Sequence, residues 1–465
     1  MWPDLLRAAL APATGSPVAL HPILECWWIL LFHLPLIAAA TIAARRVLRS
    51  RSGLPLLRDA FLAGCILWRL ETIALHLTGR VDRISVILLH LLLLAGAAIL
   101  PRPQEEPEEP RRRDRVGWSL AGAAISLAIA GGIYRITQLP DPYDSLTYHL
   151  MLPARWIERG SLELLPTPFG DIALTYTPAA VEGFFLGLML PGGSDLLARV
   201  GQLPFLLLGA LLVTQLAAGS GDAPGACGRD DRRGRLSSAI AALIFLFLPE
   251  LLIQGTGSMA DVAACAWFLA AFQRLEGWRL GGMFLGSRYT SVVFTPLLLL
   301  PLLRRPGPRW RDWGILAAAA LLTGAYPYLR NLILTGNPIY PLQVEIGGRV
   351  LLPGLFTHSA TEASPFHVQG LEMAWRGLLL PAFGIAGLAW AGLGALAPWV
   401  ARHARGRRLA ATAAGMILLH FAVVPYDSNL RFLFPAWGLL SAAAAASLGA
   451  RGWGFIPLGA LGCAA

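Results

Sequence analysis

The sequence predicts an all-α integral membrane protein, a polytopic bundle of about 10–12 membrane helices with a non-cytoplasmic loop that carries a juxtamembrane helix. Of 465 residues, 55% are hydrophobic and only 14% are charged, whereas a soluble globular chain carries about a quarter charged residues. The apolar runs are continuous and do not alternate. Because backbone N–H and C=O groups must be paired internally in hydrocarbon, such runs favour helices over a barrel.

Apolar runs of spanning or near-spanning length follow one another along the chain. The run 60–77 contains Arg69 and Glu71, so we expect it to face protein and not lipid. The run 178–190 has about 13 residues against the roughly 20 needed to cross, so it is expected to be short or re-entrant. A last apolar piece begins near Gly454. The predicted segments are 27–44, 60–77, 84–100, 118–139, 178–190, 196–218, 236–253, 262–275, 280–303, 313–329, 378–400, 409–424 and 432–448.

The basic residues are all arginine, give a formal net charge of +10, and cluster in short loops. This distribution indicates cytoplasmic loops and not nucleic-acid binding. Loops 101–115, 219–235 and 402–408 are therefore predicted to be cytoplasmic, and 140–175 and 331–375 to lie on the other side. The predicted organisation is a three-helix unit of unknown role at 1–100, a charged linker at 101–116 and a membrane domain at 117–465.

Ionisable and polar side chains collect at the non-cytoplasmic helix ends, where membrane proteins place functional groups. Arginine suits a phosphate, because its planar, permanently charged fork binds two oxygens at once. A carboxylate among arginines suits a general base that takes a proton from a hydroxyl. Run 280–303 can bring Arg288 to this face if it forms two short helices that meet there. The candidate residues are Asp144, Tyr148, His149, Asp261, Arg288, Tyr289, Arg330 and Arg431.

Each candidate also has a purely structural interpretation. Asp261 could cap a helix, and Asp141 before proline could open a turn. His149 could be a hydrogen-bonded structural residue, and Arg288 could be a snorkelling anchor. Asp144 is the hardest to explain structurally, because it directly follows an apolar run and precedes an amphipathic stretch at 148–159.

The segment Tyr143-Asp144-Ser145-Leu146-Thr147-Tyr148-His149-Leu150, followed by Pro153-Ala154-Arg155-Trp156 and Gly160, resembles a known pattern. It is similar to the C-type (GT-C) glycosyltransferases, and in particular to bacterial aminoarabinose transferases of lipid A and protein O-mannosyltransferases. Further similar elements are Asp261, Ser287-Arg288-Tyr289-Thr290, Arg330-Asn331 with Asn337 to Pro341, and Asn429 to Pro435. The resemblance covers about 118–448. The chain departs from the family pattern in two places: Arg288 stands where the family usually has lysine, and the region 276–288 is short for the helix expected there.

The resemblance implies an inverting glycosyltransferase at the non-cytoplasmic face of a bacterial cytoplasmic (inner) membrane. It would move a monosaccharide from a polyprenyl-phosphate donor to a hydroxyl of a lipid, glycan or protein acceptor. Asp144 would be the base and Asp261 a second catalytic acidic residue. Arg288, with Arg330 or Arg431, would stabilise the departing phosphate. Tyr148, His149 and Tyr289 would complete substrate binding.

No cofactor is expected, although a divalent metal shared by Asp144 and Asp261 stays open. Membrane lipids are the other expected partner, and nucleic acid is not expected. Three alternatives remain. A transporter or flippase of lipid-linked sugars would favour inverted repeats and broken helices, neither of which is evident in the sequence. An O-antigen ligase or polymerase would use a lipid diphosphate and a loop rich in Arg and His, as 331–375 partly is. The third is an inactive relative.

Overall fold

The computed structural model is predominantly helical. It describes residues 20–48, 50, 53–102, 122, 126, 129–140, 142–165, 172–218, 231–246, 248–273, 278–303, 310–357, 404–423 and 431–451. Several predicted features lie wholly or mostly outside these residues: the linker 101–116, the run 378–400, the loop 219–235, Asp141, and the piece near Gly454. Run 118–139 is described at 122, 126 and 129–139, and loop 402–408 is described from residue 404, where the structure has the start of a helix and not a loop. The chain divides into two compact units, each described here by itself.

The first unit comprises Met1–Glu108, Arg135–Thr175 and Ala180–Gly201. Its longest helix carries the predicted buried charges, and Arg69 and Glu71 are indeed buried, which confirms that this helix faces protein. The helices of this unit are α1 (Leu20–Phe32), α2 (Leu34–Arg46), α3 (Gly53–Thr78), α4 (Arg83–Ile99), α5 (Met151–Arg159) and α6 (Ala180–Met189).

The short helix α5 confirms the amphipathic stretch predicted at 148–159, with a different start. A single π-helical turn, Ser145–His149, precedes it. Helix α5 buries Met151, Leu152 and Trp156 on one face. It ends at Gly160, whose φ of 67° is a left-handed conformation that glycine adopts without strain. Helix α6 has ten residues, which confirms the prediction of a short apolar segment there.

The second unit comprises Glu109–Tyr134, Tyr176–Ala179 and Gln202–Ala465. At its centre, α10 is buried on every side from Asp261 to Ala271, as expected of a helix that is apolar all round. The elements of this unit are α7 (Leu203–Ala218), α8 (Asp231–Leu246), α9 (Pro249–Gly255), α10 (Asp261–Gln273), α11 (Trp278–Leu285), α12 (Thr290–Leu303), α13 (Trp310–Ala319), α14 (Tyr326–Thr335), β1 (Val344–Ile346), β2 (Arg349–Leu352), α15 (Ala404–Val423) and α16 (Phe434–Arg451).

Three apolar runs that were expected as spans are broken in this unit. Run 280–303 forms α11 and α12, which meet around Arg288; this is the arrangement that the sequence required for Arg288 to reach the other candidate residues. The prediction that run 236–253 forms one helix was wrong. Its helices, measured over Ser238–Leu246 and Pro249–Gly255, bend by 76°, because Pro249 cannot donate an N–H and forces Leu248 into an extended conformation. The prediction that run 313–329 forms one helix was also wrong, since the π turn Ala320–Gly324 separates α13 from α14.

Among the described residues, two helices are long and apolar enough to cross a membrane, Gly53–Thr78 and Ala198–Ala218. The number rises to four if each of two bent pairs counts as one span. One of these pairs is Leu24–Phe32 with Leu34–Arg46, bent by 59°. These helices are compatible with a membrane protein, whereas the bundle of about 10–12 membrane helices stays a prediction.

A small antiparallel hairpin within loop 331–375 departs from the all-α prediction. Strands β1 and β2 pair Ile346 with Arg349 and Glu345 with Val350. The two turn residues, Gly347 and Gly348, both have positive φ, at 58° and 77°. Such a turn follows the twist of the flanking strands, and glycine meets its backbone requirement without strain.

Candidate functional site

Asp261 opens the buried helix α10, and its side chain is only 1% exposed. Neither carboxylate oxygen makes a hydrogen bond within the described residues, so of the two interpretations of Asp261 the helix cap is not the one that the structure has. The side chain of Gln202 takes that role instead, because its Oε1 accepts from Ala263 N at 2.8 Å. The carboxylate of Asp261 is therefore left to face other side chains.

Two arginines from distant parts of the chain meet this carboxylate. Arg288, in the break between α11 and α12, places Nε 3.1 Å from Asp261 Oδ1. Arg431, just before α16, places Nε 3.6 Å from Asp261 Oδ2. We name Asp261, Arg288 and Arg431 the arginine–aspartate cluster. Arg288 is thus paired with a buried acid, and a snorkelling anchor is not the role that the geometry gives it.

Phe432 fixes both guanidinium groups from a third direction. The Cζ atoms of Arg288 and Arg431 lie 5.1 Å and 5.7 Å from the centroid of its ring, within the range of cation–π attraction. Each such contact contributes about 0.5–2 kcal/mol, more where water is excluded. The aromatic ring thus holds two like charges close together, which their mutual repulsion alone would oppose.

The arginine–aspartate cluster brings two guanidinium groups to one carboxylate. The side chains of Arg288 and Arg431 are only 13% and 21% exposed. Arg288 Nη2 is moreover buried without a hydrogen-bond partner in the part of the chain that the structure describes. A buried donor without a partner is costly, and an anion placed there would satisfy this donor.

The backbone around Arg288 is held by close packing of α11 against the π turn. A Cβ added at Gly282 would lie 2.5 Å from the carbonyl oxygen of Ala319, and one at Gly286 would lie 2.9 Å from that of Thr323. Only glycine allows so close an approach. Tyr328 Oη also donates to the carbonyl of Leu285 at 2.8 Å. The end of α11, and with it Arg288, therefore has little freedom to shift.

Arg330 and Tyr289 belong to a separate hydrogen-bond network in the same unit. Arg330 Nη2 donates to the carbonyl of Tyr176 at 3.0 Å, and Tyr289 Oη donates to the same oxygen at 2.6 Å. Asn331 Nδ2 donates to the carbonyls of Tyr176 and Tyr340, each at 3.0 Å. Burial lowers the pKa of the Arg330 guanidinium. Arg330 and Arg431 were the two candidates to act together with Arg288. In the structure Arg431 lies beside Asp261, and Arg330 binds the backbone at Tyr176.

The first unit contains the other three predicted residues. Asp144 is half-buried and begins the π turn that contains Tyr148 and His149, both buried. His149 Nδ1 lies 2.6 Å from Glu182 Oε1 on α6. The hydrogen bond agrees with the structural interpretation of His149, while its Nε2 is buried without a partner among the described residues.

Glu182 and Phe432 are the residues of these sites to which the sequence argument gave no role. Glu182 had a readable signal, since it is the one carboxylate in the ten-residue apolar helix α6. Phe432 had none, because an aromatic residue in an apolar run is ordinarily core. Within the described residues, no group of three His, Cys, Asp or Glu side chains could hold a metal ion.

Comparisons with protein-family models, with curated proteins and with solved structures found no match for this chain.

Proposed function

We propose that this chain is a membrane glycosyltransferase that moves a monosaccharide from a polyprenyl-phosphate donor to an acceptor hydroxyl of a lipid, glycan or protein. The proposal places it in a bacterial cytoplasmic membrane, with the reaction on the periplasmic or exterior face. The observation that carries it is the arginine–aspartate cluster, in which two guanidinium groups lie close together and Arg288 Nη2 is buried without a hydrogen-bond partner among the described residues. The motif around Asp144 supports the sugar-transfer chemistry.

The charge of the cluster matches the change of charge in this reaction. A sugar phosphodiester carries one negative charge, and the polyprenyl phosphate that leaves gains a second as the bond from the anomeric carbon to the phosphate oxygen breaks. Two guanidinium groups in a poorly hydrated place stabilise this growing charge more than the starting charge, which is what lowers a barrier. Loss of one such contact typically costs about 10²–10³ in rate.

Asp261 and Asp144 receive different roles in the proposal. Both oxygens of Asp261 face guanidinium groups, so it is a positioning residue that holds the two arginines in place. Asp144 is the base, on the strength of the sequence motif. It takes the proton of the acceptor hydroxyl while the acceptor oxygen forms the new bond to the anomeric carbon. The phosphate leaves without protonation, so no second carboxylic acid is needed.

Donor binding by the full-length protein in nanodiscs tests the proposal. We expect Arg288→Ala and Arg431→Ala to weaken the binding of a radiolabelled polyprenyl-phosphate sugar by about 10–100-fold, the value of a charge-assisted hydrogen bond. Arg288→Lys should keep much of the affinity, because it keeps the charge. Arg349→Ala is the matched control, since Arg349 is exposed on β2 in the same unit. Unchanged affinity in both cluster variants would refute the donor site.

A transporter of lipid-linked sugars is the second candidate, and the broken helices favour it. Helices that are interrupted within an apolar run are typical of transporter binding sites, and the breaks at His33 and Pro249 are of this kind. Proteoliposomes that hold a fluorescent lipid-linked sugar separate the two functions. Movement of the lipid across the bilayer without an acceptor would favour the transporter, and sugar transfer to an acceptor in detergent would favour the enzyme.

A further inference from the structure

A chain of three ionisable side chains, two of them buried, runs between helices of the first unit and plays no part in the proposed function. Glu71 Oε1 on α3 lies 2.8 Å from His90 Nδ1 on α4. His90 Nε2 lies 2.9 Å from His33 Nδ1, at the junction of α1 and α2. His33 Nε2 in turn lies 2.8 Å from the carbonyl oxygen of Gly187 on α6. Three helices and the junction of α1 and α2 therefore contribute to one continuous line of hydrogen bonds.

The carbonyl of Gly187 determines the direction of the last hydrogen bond in the line. The oxygen of Gly187 can only accept, so His33 Nε2 must donate to it. If His33 is neutral, its Nδ1 accepts and His90 Nε2 donates. His90 Nδ1 then either accepts from a protonated Glu71 or, as part of an imidazolium, donates to an ionised Glu71. One proton can therefore occupy Glu71, His90 or His33 without any change in the heavy-atom positions.

The surroundings favour shared protons over separated charges. Glu71 is 2% exposed and His90 is 0% exposed, and the ring of Trp68 packs edge-on against both histidines. An ionised pair in such a place is costly. Within the described residues, His90 is the one partner of Glu71, and Glu71 Oε2 is buried without any partner. A metal site is not indicated, because ligands must converge on one centre and these atoms point at one another in a line.

Three charged side chains on the helices packed here have contacts of their own. Asp59 binds Arg58, Glu182 binds His149, and Arg83 donates to the carbonyl of Leu190. None of these groups replaces a member of the chain. The remaining groups on these helices are His21, Glu25, Cys26, Arg45, Arg46, Cys65, Arg69, His76 and the N-cap Asp82.

We propose that Glu71, His90 and His33 form a proton-binding relay in the first unit, which exchanges protons with the surroundings through His33. His33 is half-buried while Glu71 and His90 are buried, so it is the accessible end. It also lies at the 59° break between Leu24–Phe32 and Leu34–Arg46. In membrane pumps and transporters, proton relays are commonly built from chains of carboxylate and histidine side chains. No role for the N-terminal helices followed from the sequence. Under this proposal their role is to bind a proton.

Infrared spectroscopy of the full-length protein in nanodiscs, titrated from acid to alkaline pH, tests the relay. We expect a carbonyl-stretch band of a protonated carboxylic acid that disappears in Glu71→Gln and persists in the matched control His76→Gln, on the same helix. If Glu71→Gln does not fold, Glu71→Asp serves, because it keeps an acid and changes the frequency of the band. Sharing of the proton predicts that His33→Gln moves the midpoint of this band by about one pH unit or more, the mark of coupled sites.

The middle residue decides whether the coupling runs along the chain. In a His90→Gln background, the His33→Gln change should no longer move the midpoint, since the line of hydrogen bonds is cut between them. Absence of a titrating band that depends on Glu71 in the wild-type protein would overturn the proposal. So would a midpoint that ignores His33 while His90 is present, because the three groups would then titrate independently.

Discussion

Adjacent glycines in α11 have very different surroundings and give a sharp test of how Arg288 is positioned. A methyl group at Gly282 would lie 2.5 Å from the backbone oxygen of Ala319, whereas at Gly281 its nearest neighbour is Leu298 Cδ1 at 3.9 Å. Because a backbone carbonyl cannot rotate away, Gly282→Ala must push α11 from the π turn by about 1 Å, and overpacking of this kind costs about 1–3 kcal/mol. We expect the cost to lie at the upper end of that range.

Thermal unfolding in detergent and donor binding by the same samples measure the effect. Gly281→Ala should be neutral or slightly stabilising, because alanine is the better helix former by about 1 kcal/mol and no atom is displaced. Gly282→Ala should lower the apparent Tm and, through the displaced Arg288, weaken donor binding as well. Equal thermal stability of the two variants would refute the packing argument. A destabilised Gly282→Ala that binds donor normally would show that α11 does not position Arg288.

Three further outcomes are expected. Asp144→Asn should reduce sugar transfer by about 10²–10⁴, as removal of a general base does, and should leave donor binding unchanged; transfer within a few-fold of wild type in a product assay would mean that another group is the base. Asn331→Ala should lower stability by about 0.5–1.5 kcal/mol for each hydrogen bond lost, because the Tyr176 carbonyl keeps Arg330 and Tyr289 as donors; an unchanged thermal unfolding curve would show that the loop is held elsewhere. A cysteine introduced at Ser161 should react with a membrane-impermeant reagent in intact cells, and labelling only after lysis would reverse the predicted topology.

Helix positions in this protein were predictable from hydropathy because burial away from water is a local property of the chain. The break at Arg288 was predictable for the same reason, since a charged residue interrupts an apolar run there. The break before Pro249 also had a local signal, the missing N–H of proline, but its 76° bend depends on packing that no local pattern reports. The hairpin β1–β2 follows a pair of glycines, a recognisable turn signal, yet the prevailing helical pattern concealed it.

Candidate residues were predictable one at a time, and their partners were not. A charged residue in or beside an apolar segment can be recognised from the sequence alone, which is how Asp261, Arg288 and Arg431 were found. Which arginine meets the aspartate depends on contacts between residues far apart in sequence. Arg330 and Arg431 were equal alternatives until the structure placed Arg431 at Asp261 and Arg330 at a carbonyl. Glu71 was recognised as a charge that faces protein, but its partner His90 was not, because an isolated histidine in a leucine-rich helix gives no signal of what it faces.

The composition of the arginine–aspartate cluster is itself an argument for a ligand. A cluster that only stabilised the second unit would need one arginine for its one aspartate, since removal of charge from water is costly and a neutral pair keeps that cost lowest. The second arginine adds a positive charge whose side chain is 21% exposed and whose guanidinium repels its neighbour. Phe432 offsets part of that repulsion. Under the proposed function the ligand of the cluster is a phosphate group, because its oxygens match guanidinium forks and Arg288 Nη2 is buried without a hydrogen-bond partner within the described residues.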